Sequence, residues 1–111
     1  MEGLVKGDVV ILEFPFTNLA GKKRRPALVL AVLPYDILVC AITTTVHPRD
    51  VFVPLLSEDF KDGRLPVPCV VKPLKMFTAD RSIVLVRRGR VNDRLFENVV
   101  DALCSTLRSW P

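Results

Sequence analysis

Two almost wholly apolar runs, Pro26–Leu33 and Ile37–Thr43, are separated only by Pro34-Tyr35-Asp36. Short apolar runs bounded by turn signals read as strands covered on both faces, and the triplet between them reads as a tight turn. The pair predicts a hairpin at the centre of a sheet. The rest of the chain has to flank or cover it. Neither run can span a bilayer, which takes about 20 apolar residues in a helix.

The flanking segments fit that role. Gly7–Phe14 alternates and is rich in Val and Ile, as a strand does. Pro15–Lys23, with Asn18 and Gly21, reads as a loop. Val51–Leu55 is a further strand candidate, Ser57–Pro66 a turn-rich loop around Asp62-Gly63, and Val67–Lys72 extended despite Pro68. Arg81–Val91 alternates around Ile83, Leu85 and Val91. The period then changes. Leu95, Phe96, Val99, Val100, Leu103, Cys104 and Leu107 form one stripe of an amphipathic helix. Asn92 is a suitable N-cap, Asp93 favours the first turn, and Trp110-Pro111 ends the helix. With no repeat or linker, residues 1–111 are expected to form one domain. Its predicted class is mostly β (α+β): a small antiparallel barrel of five to seven strands with one terminal helix.

Half of the residues are apolar, more than so small a chain hides easily, so part of that surface is expected in a homodimer interface. The formal charge is +4, and the cations cluster at Lys22-Lys23-Arg24-Arg25 and at Arg87, Arg88 and Arg90. Such clusters suit a polyanion partner or are solvated loop charge. The N-terminus lacks a signal-peptide pattern, which predicts a soluble cytoplasmic protein with no membrane contact. Cys40, Cys69 and Cys104 are odd in number and too far apart for a zinc or redox motif. They are expected to be free, buried thiols.

Three segments carry the functional signal. They are Lys6-Gly7-Asp8-Val9-Val10 with Phe14-Pro15-Phe16-Thr17, then Gly21 to Leu30 containing Arg25-Pro26, then Cys40-Ala41-Ile42-Thr43-Thr44. In order and spacing they resemble the MazF/PemK toxins, and Lys75-Met76-Phe77-Thr78-Ala79-Asp80 is similar to that family's segment ending in Thr-x-Asp. The resemblance covers nearly the whole chain and rests on the combination rather than on one motif. It implies a compact SH3-like barrel of the MazF/PemK/CcdB type, a homodimer and an antitoxin partner with an acidic, partly disordered tail. It also implies sequence-specific, metal-free and cofactor-free cleavage of single-stranded mRNA. In that reaction the 2′-hydroxyl attacks the adjacent phosphate and leaves 2′,3′-cyclic phosphate and 5′-hydroxyl ends. The family's catalytic Arg before Pro falls on Arg25, and its Thr or Ser after Ala-Ile falls on Thr43.

The chemistry asks for such groups. In-line attack builds negative charge on the phosphate oxygens, which a planar guanidinium and a neighbouring hydroxyl both stabilise. Arg25, with a pKa above about 12, suits charge stabilisation better than general-base work. Each residue also has a plainer reading: Arg25 as the last cation of a loop, Thr43 as a β-former at a strand end, with Thr44 and Thr45 one and two places on. Lys22, Lys23, Arg24, Thr44, His47, Lys72 and Lys75 are candidate RNA contacts. His47 admits three readings: general base, RNA or antitoxin contact, or idle surface. Phe16, Phe77 and Tyr35 stack on bases or pack in the core. Arg87, Arg88 and Arg90 are solvated charge or bind RNA.

The chain departs from the family in two places. Several members carry an Arg or Asp and then a Gln before the Thr-x-Asp, where Lys72, Leu74 and Lys75 stand here. Leu74 cannot move a proton, so an acid/base scheme resting on an Asp there does not transfer. Cys69 stands where a Ser is common. Two other functions stay open: a CcdB-like gyrase poison, whose determinants lie in a terminal helix ending near a Trp as this one does, and a degenerate homologue that binds RNA or antitoxin without cleaving.

Overall fold

The computed structural model describes residues 3–18 and 21–110; the side chains of residues 14–18 and 21–22 lie outside that description, as do residues 1–2, 19–20 and 111. Seven strands run β1 (Asp8–Asn18), β2 (Gly21–Val32), β3 (Asp36–Thr43), β4 (Val53–Leu55), β5 (Phe60–Gly63), β6 (Cys69–Asp80) and β7 (Val84–Val91), followed by helix α1 (Asp93–Ser109). All pairs are antiparallel, in the order β4-β6-β3-β2-β1-β7-β5, and the sheet curls into a half-barrel. The apolar hairpin β2–β3 sits in the middle, as its composition requires.

Alternation along the central strands divides the core between the two faces of the sheet. Val9, Leu28, Cys40, Ile42 and Val71 face one side, where Leu95 and Val99 of α1 cover them. Val10, Leu12, Ala27, Val29, Ile37 and Val39 face the other, closed by Leu4, Ala79 and Val84. The helix begins where Asn92 accepts a hydrogen bond from the Leu95 amide at 2.8 Å, an N-cap. Further along, its apolar stripe loses contact with the sheet: Leu107 and Trp110 are exposed.

Several expected boundaries move. Long strands occupy much of the expected loop Pro15–Lys23, with Asn18 opposite Gly21; residues 19–20 of it are outside the described residues. Ser57–Pro66 holds a 3-10 turn, Ser57–Asp59, and a real strand, β5. Arg81–Ile83 is a 3-10 turn rather than the start of β7. Cys104, expected in the core, is exposed, whereas Cys40 and Cys69 are buried. Burial pushes the Cys40 thiol up to about 12.

A buried carboxylate locks the sheet beside β1. Asp8 is fully buried and accepts hydrogen bonds from the Val5 amide at 2.9 Å, Arg87 Nε at 3.0 Å and Arg90 Nε at 2.8 Å. Arg87 also grips both oxygens of Asp62 on β5 through Nη2, at 2.8 and 3.0 Å. Burial opposes ionisation of Asp8, but these donors outweigh it and hold its pKa below the usual carboxylate value. Arg87 and Arg90 are therefore not simply solvated charge: both neutralise Asp8, with about a third of each side chain still exposed.

Candidate active site

Cross-strand register brings the candidate residues to one end of the central strands. On β2, Arg25 lies opposite Leu12 of β1, and directly opposed residues share a face. That is the face of Ala27 and Val29. The β2–β3 ladder reaches Ala27–Ala41 and stops there. Pro26 is the cause: it is registered with Ile11 without an N–H, so its nitrogen side is turned to β3 and can donate nothing across. Arg25 and Thr43 each lie two residues beyond that last pair, on neighbouring strands. Arg25 is exposed and, among the described residues, has no ion-pair partner.

Thr43 closes β3 and pairs with Val70 of β6. Its Oγ1 accepts the Thr45 amide at 3.1 Å, an ST-type turn that orients the hydroxyl and leaves its proton to donate elsewhere. Thr44 and Thr45 lie beyond the strand and are exposed.

Beside them β6 bulges. Ala41 pairs with Lys72, yet Cys40 pairs with Met76, so Pro73, Leu74 and Lys75 have no counterparts on β3. A proline in mid-strand is at home in such a bulge. Leu74 and Lys75 are thrown outward and exposed, while Lys72 shares the face of Ala41 and Thr43. Lys72 is not an open cation. Its side chain is only 8% exposed and its Nζ stands 2.8 Å from Asp50 Oδ2. Asp50 lies in the loop that follows β3 and also accepts the His47 amide at 3.1 Å. Lys72 and that amide together hold its pKa below the usual carboxylate value. Sequence reasoning missed Asp50; it lacks a motif, and only the fold brings it to Lys72.

The basic run divides. Lys23 and Arg25 alternate onto one face, and Arg24 onto the other, 3.6 Å from Glu13. The side chain of Lys22 lies outside the described residues, as does that of Phe16. His47 is exposed on the loop, with the Asp50 carboxylate nearby. Phe77 packs against the core, and Tyr35 is 87% exposed at the β2–β3 turn, at the opposite end of the strands from Thr43. Among the described residues, no three His, Cys, Asp or Glu side chains cluster to hold a metal ion, and no helix is long and apolar enough to cross a membrane. A cavity of about 1080 Å³ lies elsewhere, between Leu56, Phe60, Leu65, Val67 and Arg88.

What this end of the sheet offers is a guanidinium, an oriented hydroxyl and further cations on one surface, a set suited to a phosphodiester. Known proteins agree with the fold. An endoribonuclease from a mycobacterial species, solved with its cognate antitoxin, matches with a TM-score of 0.75 at 17% identity over 98% of this chain and 100% of that one. The MazE–MazF structure (Form-III) from Deinococcus radiodurans matches at 0.74 and 26% identity over 95% and 96%. The Mycobacterium tuberculosis toxin MazF-mt6 matches at 0.71 and 21% identity over 93% and 99%. A search of curated protein sequences gives no match. The family model, by contrast, runs almost end to end, over residues 5–107. The chain belongs to the PemK-like, MazF-like toxins of type II toxin–antitoxin systems.

Proposed function

We propose that this toxin is a metal-independent endoribonuclease that cuts single-stranded mRNA at short sequences, with Arg25 and Thr43 as its catalytic residues. The observation that carries the reading is their placement: a guanidinium with no ion-pair partner among the described residues and an oriented hydroxyl, one on each strand, where the β2–β3 ladder ends. In the reaction the 2′-oxygen bonds to phosphorus and the bond to the 5′-oxygen breaks. The 2′-hydroxyl loses its proton, the 5′-oxygen gains one, and a 2′,3′-cyclic phosphate remains. Arg25, always protonated, and the Thr43 hydroxyl donate to the phosphate oxygens as their charge rises. A donor of this kind is worth about 10²–10³ in rate. Lys23 and Lys75, both exposed, would hold flanking phosphates without reading sequence.

The working form is a cytoplasmic homodimer silenced by a cognate antitoxin. Exposed Leu107 and Trp110 supply apolar surface for contacts between chains, and the cations around Arg25 suit an acidic antitoxin segment. The test is a cleavage assay on a long mRNA in the presence of chelator, comparing wild type with Arg25→Ala and Thr43→Ala and mapping the new ends. Cleavage giving 5′-hydroxyl ends, reduced at least 10²-fold in each variant, is expected. Intact RNA after incubation with folded wild type would sink the reading.

A second reading has its own observation. Trp110 is 71% exposed at the end of α1, as a CcdB-like gyrase poison would need. Unchanged gyrase supercoiling in the presence of the protein would dispose of it.

A further inference from the structure

The Lys72–Asp50 pair is oddly placed for a structural salt bridge. Lys72 is rooted in β6, opposite Ala41 and on the face that carries Thr43. Asp50 is rooted in a loop. Among the described residues, the other hydrogen bonds of that loop are local: Thr45 to Thr43, His47 to Asp50, and the Asp50 amide to the His47 carbonyl at 2.9 Å. The one long-range polar tie is Asp50 Oδ2 to Lys72 Nζ. Lys72 is nearly sealed, while the Asp50 side chain is 31% exposed, so a solute reaches the pair from the Asp50 side. A carboxylate oxygen 2.8 Å from the ammonium stands where a phosphate oxygen of a bound strand would stand.

From this we infer that Asp50 is a phosphate surrogate: it occupies Lys72 in the free toxin, and RNA reaches that cation only by displacing the carboxylate. The inference rests on this surface being the RNA site and assigns Asp50 the role of setting RNA affinity there. It has a thermodynamic signature. A cation that meets a phosphate releases a counterion from the strand, steepening the dependence of log K on log salt by about 0.7 for single strands. If Asp50 is displaced in the same step but stays beside the strand, its negative charge offsets that of Lys72, and the two nearly cancel. Lys72 therefore contributes almost no salt dependence in the wild type. It contributes a full increment once Asp50 is neutral.

The experiment measures binding of a 2′-O-methylated single-stranded RNA, which lacks the attacking hydroxyl, to wild type, Asp50→Asn, Lys72→Met and the double variant over a tenfold range of salt. Thermal melts establish folding. Asp50→Asn should steepen the slope by about 0.7, equivalent to about fivefold in affinity over that range. Lys72→Met alone should leave the wild-type slope unchanged, and in the double variant it should remove the gain. A slope that does not move in Asp50→Asn would overturn the inference. So would a slope flattened by Lys72→Met alone, which stands as the deciding measurement if Asp50→Asn does not fold. Wild type that fails to bind RNA at all would instead overturn the RNA reading and take this inference with it.

Discussion

Replacing Asp8 with Asn changes one atom type at a fully buried position and leaves no good arrangement for the new side chain. Oδ1 of Asp8 receives both guanidinium Nε groups, at 3.0 and 2.8 Å, and Oδ2 receives the Val5 amide at 2.9 Å. In Asn one of those oxygens becomes an NH2. If the amide nitrogen faces the arginines, it meets two cations with a donor; if it faces Val5, it meets a backbone donor. Either way a buried donor lacks an acceptor, at about 1–3 kcal/mol. Two charge-assisted hydrogen bonds also weaken, each worth about 1.5–3 kcal/mol when fully made. Arg87 and Arg90 are about one-third exposed, so water relieves part of that loss, and Arg87 keeps Asp62. A net loss of about 2–4 kcal/mol remains. At this size that lowers Tm by about 8–16 °C. The assay is a thermal melt at pH 7, repeated down to pH 3. Because the folded-state pKa of Asp8 is depressed below 3.8, its contribution is complete above that unfolded value and disappears as pH falls through the folded one. The gap between the two proteins should therefore narrow below about pH 4. A Tm change under about 2 °C at pH 7, or a gap that does not narrow in acid, would refute the reasoning.

Gly63 has φ +73°, and a Cβ there would lie 2.1 Å from the Arg88 carbonyl oxygen. Gly63→Ala should cost more than about 2 kcal/mol in a denaturant melt by prising β5 from β7. His47→Ala should retain most cleavage activity in the mRNA assay, because the side chain is exposed on the loop beyond Thr43; an inactive but folded variant would contradict the site assignment. Pro26→Ala restores an N–H toward β3 and lets the ladder grow past Ala27–Ala41. Stability should stay within about 1 kcal/mol, while cleavage should fall as Arg25 is drawn into register with β3.

The sheet's centre and the helix were legible in the sequence because local pattern dictates both. The apolar hairpin can only lie in mid-sheet, and Asn92 followed by a 3.6-residue stripe can only start a helix. What escaped was set by contacts between distant segments. Arg87 and Arg90 look like solvated cations until β1 and β7 pair and bring Asp8 between them. Strand β5 hides in a turn-rich sequence because it forms only by pairing with distant β7, where Gly63 meets Gly89 across a close approach that leaves no room for a Cβ. Arg25 and Thr43 stand out as candidates through their immediate neighbours, Pro26 and Ala41-Ile42. Lys72 was found as a cation, but its partner was not: Asp50 has no motif, and no spacing announces it.

The sheet is irregular in several places, and two of its interruptions meet beside Ala41, at the end that carries Arg25 and Thr43. Toward the β2–β3 turn β2 carries a bulge between Val29 and Ala31, but pairing resumes and runs through Val32–Ile37 and Asp36–Asp80. At the other end, Pro26 halts one ladder and the bulge at Pro73 interrupts the next, both within two residues of Ala41. A regular sheet would have paired these backbones and turned its side chains into a flat lattice. Broken pairing leaves side chains at the strand ends that no neighbouring strand constrains, on a scaffold whose core lies immediately behind them at Ala27, Val29 and Val39. The paired part of the strands fixes where Arg25 and Thr43 begin, and the proposed function would set the RNA strand at the unpaired part. The sheet forgoes a few hydrogen bonds there, each worth about 1 kcal/mol, and recovers stability away from the site, at Asp8.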